Sequence, residues 1–233
     1  MAPSADRASL ESHVDEALAE SFPASDPPAW TLGAPEWAGG APSVRPSDTI
    51  ARLRREHGNV ELLLLVLESQ LARIHRGDDV DEGLVLEIFR YLTGYVDVFH
   101  HGREDAAIEM LAERVAVVRA AMPVLTAQHD EIRSRGAALR DRLERAVVDE
   151  PVSRPELVRA GFSYARSLRK NMALEEAIVF PAAADVMSPA EWAAIDAKLG
   201  VPGDPLFGGQ RDDRFRRLFE ELTTRAGCAC AFE

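Results

Sequence analysis

Four long stretches of the sequence repeat apolar residues at the 3.6-residue period of an amphipathic α-helix, and this pattern limits the possible folds more than any other feature. The stretches span roughly 47–77, 80–112, 123–148 and 153–181. Aromatic residues make up only 6% of the chain, which favours helices over sheets. Long helices joined by short connectors are usually antiparallel neighbours. The sequence therefore predicts an all-α fold with an up-down four-helix bundle over residues 47–187.

Helix boundaries follow from prolines and capping signals. Pro123 suits the first turn of the third helix, where the N–H that proline lacks is not needed, and residues 113–122 are a connector or a helical extension. Ser153 and Glu156 have the spacing of a capping box at the start of the fourth helix, and a second box is predicted at 188–191. Pro181 is expected to kink or end the fourth helix nearby, because proline interrupts the hydrogen bonds of a helix interior.

Both ends of the chain are predicted to lie outside the bundle. Residues 1–46 hold 7 of the 14 prolines and 7 acidic against 2 basic residues, so we predict an extended, irregular N-terminal arm, similar to the acidic tails of many bacterial proteins. Phe22, Trp30 and Trp37 are apolar enough for the arm to pack in a groove or on a second subunit, which would give a homodimer. Residues 188–233 are predicted to form an extension with short helices and a cysteine-containing tail.

Composition excludes several classes of partner. The formal net charge of -12 argues against a nucleic-acid partner or an anionic membrane surface. No run reaches about 18 apolar residues, and the first residues lack the basic and apolar pattern of a signal peptide, so we expect a cytoplasmic protein. Cys228 and Cys230 are the only cysteines and cannot form a disulfide framework. Without a nearby histidine, incidental tail thiols are favoured over a soft-metal or redox site.

The apolar face of each predicted helix carries a polar side chain of a type that binds metals. Because alternate helices run in opposite directions, residues early in helices one and three fall within roughly a turn or two of residues late in helices two and four, at about 1.5 Å rise per residue. These residues are expected to converge in one layer of the core: His57, His100, Glu104, His129, Asn171 and Glu175.

Two buried carboxylates at this level need a counter-charge. An ionised carboxylate left unpaired in a dry core costs several kcal/mol. A metal cation removes that cost, and a carboxylate can bridge two ions. The alternative is a purely structural polar network in which arginine neutralises the carboxylates, with Arg54, Arg103 and Arg169 as candidates. Three histidines at the same depth, one on each of the first three helices, favour the metal.

Four pieces of the chain, at 55–57, 99–105, 128–131 and 171–176, resemble the hemerythrin-like HHE cation-binding domain. The resemblance covers about 47–186, and its second and fourth pieces are the specific ones. It implies a four-helix bundle that binds non-haem iron, usually two ions bridged by carboxylates. The family's metal-ligand positions carry over to His57, His100, Glu104, His129 and Glu175.

One position departs from the family pattern, which has histidine where this chain has Asn171. Asparagine offers only a weak, neutral oxygen ligand, so a one-iron site, a weak second site, another divalent metal or a degenerate metal-free domain all stay open. His101 is a weaker ligand candidate, because it lies about 100° around the helix from His100 and is expected to face a neighbour or solvent. Asp105 and Glu176 are predicted to lie in the outer shell of the site.

Three functions are compatible with these residues. The resemblance implies a non-haem iron protein that binds or senses dioxygen, nitric oxide or iron, with a small diatomic molecule as ligand. The alternative is a metal-free bundle that acts as a structural or regulatory interaction module. An enzyme that uses di-iron oxygen chemistry is less favoured. The chain shows no readable nucleophile triad or phosphate-binding loop, and its spacing is not the Glu-x-x-His of carboxylate di-iron enzymes.

Overall fold

The computed structural model of the protein describes residues 46–148 and 151–226. The predicted N-terminal arm, the homodimer that depends on it, and the tail with Cys228 and Cys230 fall outside these residues and stay predictions. The part that is described is helical and contains no strand. No helix in it has the length and apolar character needed to cross a membrane.

The first, second and fourth predicted helices lie close to their expected places, and the second and fourth each contain a π-helical segment. We number the α-helices in chain order and leave the π segments unnumbered. The elements are α1 (Pro46–Arg76); α2 (Glu82–Tyr91), a π segment (Leu92–His100) and α3 (His101–Ala112); α4 (Ala116–Val147); α5 (Arg154–Leu174), a π segment (Glu175–Val179) and α6 (Phe180–Val186); α7 (Pro189–Leu199); a 3-10 turn (Asp213–Phe215); and α8 (Arg216–Ala226).

Apolar side chains at helical spacing form the core. Leu53, Leu64, Leu67 and Leu71 of α1 are almost fully buried, and α1 packs against α5. Each such leucine contributes about 1.5–3 kcal/mol relative to an exposed one. α4 packs against α2, α3 and α5, so these helices are joined by mutual contacts.

The predicted start of the third helix at Pro123 is wrong, because α4 begins at Ala116 and holds Pro123 in its interior. The backbone of Val115 is extended just before α4 begins. Val118, in the first turn of α4, is fully buried in the core. The Arg119 side chain donates hydrogen bonds to the carbonyls of Ala112 and Glu113, at the end of α3. These tertiary contacts outweigh the preference of proline for a first turn.

Of the two predicted capping boxes, only the second forms. Ser153 is the N-cap of α5, but its side chain accepts no hydrogen bond from that helix. Pro155 explains part of this, since it removes one of the two N–H groups that an N-cap side chain normally reaches. In the second box, the Ser188 N–H donates to Glu191 Oε2 at 2.8 Å and the Glu191 N–H donates to Ser188 Oγ at 3.3 Å.

The two π segments interrupt the second and fourth predicted helices beside the layer of polar residues. At the end of the first, the N–H of His101 bonds to the carbonyl of Val96, five residues back. At the end of the second, the N–H of Phe180 bonds to the carbonyl of Glu175 in the same way. Pro181 does not end the helix there, because the preceding turn widens and the chain continues as α6. The second segment, Glu175–Val179, has the length of a single π turn, and such turns occur frequently at functional sites.

The C-terminal extension packs against the outside of these helices. α7 contacts α1 and α3, while α8 contacts α1 and α2. On the inner face of α8, Leu218 and Leu222 are buried together with Phe215 of the 3-10 turn. Arg217 donates to Glu87 Oε1 at 2.9 Å, which ties the start of α8 to α2.

Candidate metal centre

The polar residues predicted to converge do lie together in the buried layer. His57 Nε2 is 3.2 Å from Glu104 Oε1, and His100 Nε2 is 3.3 Å from the same oxygen. His129 Nε2 lies 2.9 Å from Glu175 Oε1, and His57 Nε2 lies 3.6 Å from Glu175 Oε2. All five side chains are at most 4% exposed. Three imidazoles and two carboxylates from the long helices therefore share one buried cluster.

The cluster contains two groups that can each hold a cation, and the carboxylate of Glu104 belongs to both. In each group, one ligand atom from every member lies within 4.8 Å of the others. The first group combines Glu104 with His57 and His100, and the second combines it with His101 and His129. A shared carboxylate at this position has the connectivity needed to bridge two ions.

His101 was the least expected member of these groups. Its side chain is 1% exposed, and its ring stacks on that of His129 with centroids 4.5 Å apart. Of the two predicted surroundings, a neighbouring helix or solvent, His101 faces the helix. The residue that it meets there is another imidazole of the cluster. The sequence did not reveal this, because the residue opposite His101 is set by helix packing.

Each imidazole of the cluster has a carboxylate beside its Nδ1 atom. Metal-binding histidines generally hold a carboxylate or carbonyl at the nitrogen that does not face the metal, since this partner fixes the ring and its tautomer. The pairs are His57 with Glu176 at 2.9 Å, His100 with Glu56 at 2.7 Å, His129 with Asp105 at 2.6 Å and His101 with Asp97 at 3.1 Å, the last without hydrogen-bond geometry.

Two of these outer carboxylates were predicted and two were missed. Asp105 and Glu176 occupy the outer positions that their rotation from the ligand residues indicated. Asp97 precedes His101 by four residues, one helical turn, and this spacing was a usable signal. Glu56 is adjacent to His57, as Asp105 and Glu176 are adjacent to Glu104 and Glu175, so the same signal was present but was not used.

Several buried oxygens of the cluster have no hydrogen-bond partner among the described residues. They are Glu104 Oε2, Glu175 Oε2 and Asn171 Oδ1. Such groups each cost about 1–3 kcal/mol when left unsatisfied, and carboxylate oxygens cost more. A cation among the imidazoles would satisfy the carboxylates, so the donor set fits a bound metal.

Arginine does not neutralise the two inner carboxylates. Arg103 pairs with carboxylates of α1 and α7, Arg169 pairs with two carboxylates of α1, and Arg54 is exposed. The ion-pair partners of Glu104 and Glu175 within the described chain are histidines. The arginine-based alternative predicted from the sequence is therefore not the arrangement observed.

Without a metal, the cluster binds protons. Burial alone would lower the pKa of His57, but hydrogen bonds to Glu104 and Glu176 raise it to about 10. Burial alone would also lower the pKa of His129, but hydrogen bonds to Asp105 and Glu175 raise it to about 10. Glu104 has a pKa far below its usual range, since its histidine neighbours outweigh its burial.

The extension is joined to the cluster through Arg103, which is buried in the interior. Its Nε donates to Asp196 Oδ1 of α7 at 2.8 Å, and its Nη1 donates to Glu56 Oε2 at 3.1 Å. The same Glu56 oxygen lies 2.7 Å from His100 Nδ1. α7 is therefore connected to a cluster histidine through two side chains.

Asp196→Asn is expected to lower the free energy of unfolding by about 1–3 kcal/mol, because it weakens a charge-assisted hydrogen bond to a buried guanidinium. Urea denaturation of the metal-free protein measures this change. Asp185→Asn is the matched control, since Asp185 is exposed, lies on α6 and should have an effect within about 0.5 kcal/mol. Equal stability of both variants would contradict the prediction.

Comparison with known proteins gives a family that agrees with this centre. The sequence model of the hemerythrin HHE cation binding domain matches residues 48–191. Uncharacterized proteins of Mycobacterium bovis and Mycobacterium tuberculosis are each 27% identical over 168 residues, which cover 68% of this chain. The chain spans 64% of the length of these curated relatives. No solved structure matches it. Because the family model matches more than half of the sequence, the chain belongs to the hemerythrin HHE cation-binding domain family.

Proposed function

We propose that the protein binds non-haem iron, as one or two ions, in the buried histidine and carboxylate cluster. The ligands in this proposal are the five predicted ones: His57, His100, Glu104, His129 and Glu175. The proposal rests on the surroundings of the imidazoles. Each has a carboxylate beside its Nδ1 atom, and three have their Nε2 atom beside an inner carboxylate. The up-down four-helix bundle of the family is the framework that we assign to the site.

Iron suits this mixture of donors. Imidazole nitrogen together with carboxylate oxygen is a common ligand set for non-haem iron, although manganese, cobalt and zinc accept it as well. The carboxylates supply negative charge and the histidines supply neutral donors once they have lost their protons. When bound, iron would supply reversible electron exchange and coordination positions for an external ligand.

The burial of the cluster favours a small ligand. Two surface cavities, of about 430 and 280 Å³, are lined by none of the cluster residues. We propose that the protein binds or senses dioxygen or nitric oxide, or that it senses iron itself. We also propose that it does so in the cytoplasm. In this proposal the residues of the chain hold the metal, orient its ligands and exclude water.

Metal analysis and optical spectra of the purified protein test the proposal. After anaerobic iron loading and exposure to air, the wild-type protein should contain iron and show visible absorption. His57→Ala should lose much of both, whereas His75→Ala should resemble the wild type, because His75 is exposed near the end of α1. Colourless wild-type protein without bound metal after this treatment would refute the proposal.

Iron loading should also release protons. At pH 7, His57 and His129 of the metal-free protein are protonated, since their pKa values are raised to about 10, and a ligating imidazole must be neutral. We expect about two protons per chain from these residues, and an affinity that increases as the pH rises towards 10. Titration with ferrous iron in weak buffer with a pH indicator measures the release. Stoichiometric loading without released protons would contradict this prediction.

A metal-free structural or regulatory module is the second candidate, and Asn171 is the observation that favours it. Its amide donates to Glu175 Oε1 at 3.1 Å where the family pattern has a histidine. In such a module the cluster would be held together by its protonated histidines. Glu175→Gln would then leave the metal content at background level in both variant and wild type. A fall from a substantial wild-type content would exclude the module.

A further inference from the structure

We propose that His101 takes the place of Asn171 as the second imidazole of a second cation position, so that this position is held by His101, His129, Glu104 and Glu175. This inference rests on the proposed metal-binding function and makes it more specific. It assigns both consecutive histidines of the second long helix to the centre, one to each cation.

The amide of Asn171 is already engaged in a different role. Its Nδ2 donates to Glu175 Oε1 at 3.1 Å and reaches Gln128 Oε1 at 3.5 Å. The side chain is fully buried. Asn171 therefore orients the carboxylate of Glu175 by donating a hydrogen bond, and it is a positioning residue rather than a ligand.

His101 has the surroundings of the other cluster histidines. It forms a group with Glu104 and His129 in which the ligand atoms lie within 4.8 Å of one another. Its Nδ1 lies 3.1 Å from a carboxylate oxygen of Asp97, as the other three imidazoles lie beside Glu176, Glu56 and Asp105. The Asp97 contact lacks hydrogen-bond geometry, but it places an outer carboxylate beside Nδ1 of His101 as in the other three imidazoles.

Helix geometry explains how two consecutive residues can serve two cations. At about 100° per residue, Glu104 is rotated by about 40° from His100 and His101 by about 100° in the same direction. The shared carboxylate therefore projects between the two imidazoles. His100 faces α1, where its ring centroid is 5.1 Å from that of His57, and His101 faces α4, where it stacks on His129.

With His101 as a ligand in place of Asn171, the two cation positions have equal sets of donor atoms. The first has the imidazoles of His57 and His100, and the second has those of His101 and His129. Both share the carboxylates of Glu104 and Glu175, whose Oε2 atoms have no other hydrogen-bond partner in the described part of the chain. We therefore expect two divalent cations per chain, bound with comparable affinity.

Ferrous iron and, as a redox-inert probe, zinc test the inference through the number of ions bound per chain after desalting. The wild type should bind two ions and His101→Ala one. Asn171→Ala should still bind two, with a lower affinity because Glu175 loses the hydrogen bond that orients it. Asn171→His should add no third ion. His101→Gln, which keeps most of the side-chain volume, replaces His101→Ala if that variant does not fold, and circular dichroism checks folding.

The outcomes separate this inference from the function on which it rests. Two ions in the wild type and one in the His101 variant support it. Two ions in both, or a loss of one ion in Asn171→Ala alone, would overturn it while the protein remained a metal-binding one. A single ion in the wild type would overturn it as well. No ion in the wild type would overturn the proposed function and the inference together.

Discussion

Glu104→Gln should abolish metal binding at both positions of the centre, which is the largest functional effect that we expect from a single substitution. Glu104 is the carboxylate common to both ligand groups, with Oε1 near His57 and His100 and Oε2 3.9 Å from His129 Nε2. A neutral amide cannot supply two anionic oxygens to two cations. Bound iron per chain, measured by elemental analysis after loading, should fall from the wild-type value to near background.

Glu87→Gln is the matched control for this experiment. Glu87 is also a buried glutamate, but it accepts hydrogen bonds from Arg217 and from the N–H of Leu218, at the contact between α2 and α8. Its replacement should lower stability and leave the metal content unchanged. Full metal occupancy in Glu104→Gln would show that Glu104 is not a required ligand.

Phe180→Ala should produce the largest loss of stability, about 3–5 kcal/mol in the free energy of unfolding, because it removes a buried aromatic ring from the core. The Phe180 ring is 1% exposed and stacks on His57, with centroids 5.0 Å apart and planes at 25°. Its removal also takes away the surface that holds the His57 ring in place. Urea denaturation and metal titration at a temperature where the variant stays folded measure the two effects.

Phe180→Leu provides a graded comparison, since leucine fills part of the space but has no ring to stack on His57. We expect an intermediate loss of stability and a weaker affinity for metal than in the wild type. An unchanged affinity in both variants, measured with folded protein, would show that Phe180 supports the core without positioning His57.

The sequence was sufficient to predict which five side chains meet in the buried cluster. His57, His100, Glu104, His129 and Glu175 stand on apolar helix faces, and the 3.6-residue period assigns each to the inside of its helix. Their common depth was predicted by counting residues along the helices, and they do meet in one cluster although α4 begins at Ala116. These are local quantities with a fixed rise and rotation per residue, so they can be read from a single chain.

Other features needed the packed structure. α4 begins at Ala116, ahead of Pro123, because Val118 is buried in the core and Arg119 bonds to the end of the preceding helix. Ser153 forms no capping box although its spacing to Glu156 is correct. At Pro123 the contacts with the preceding helix decided the outcome. At Ser153 the nearby Pro155 removes one of the two N–H groups that a cap can reach.

The sequence by itself therefore determined the helical faces and the five inner residues of the centre, because helical periodicity is a property of the chain. Only the tertiary structure decided that His101 lies against His129 and that Glu56 supports His100. Those pairings join residues of different helices, and they depend on how the helices are rotated and on where π turns widen them. No spacing along one helix encodes which side chain of another helix it will meet.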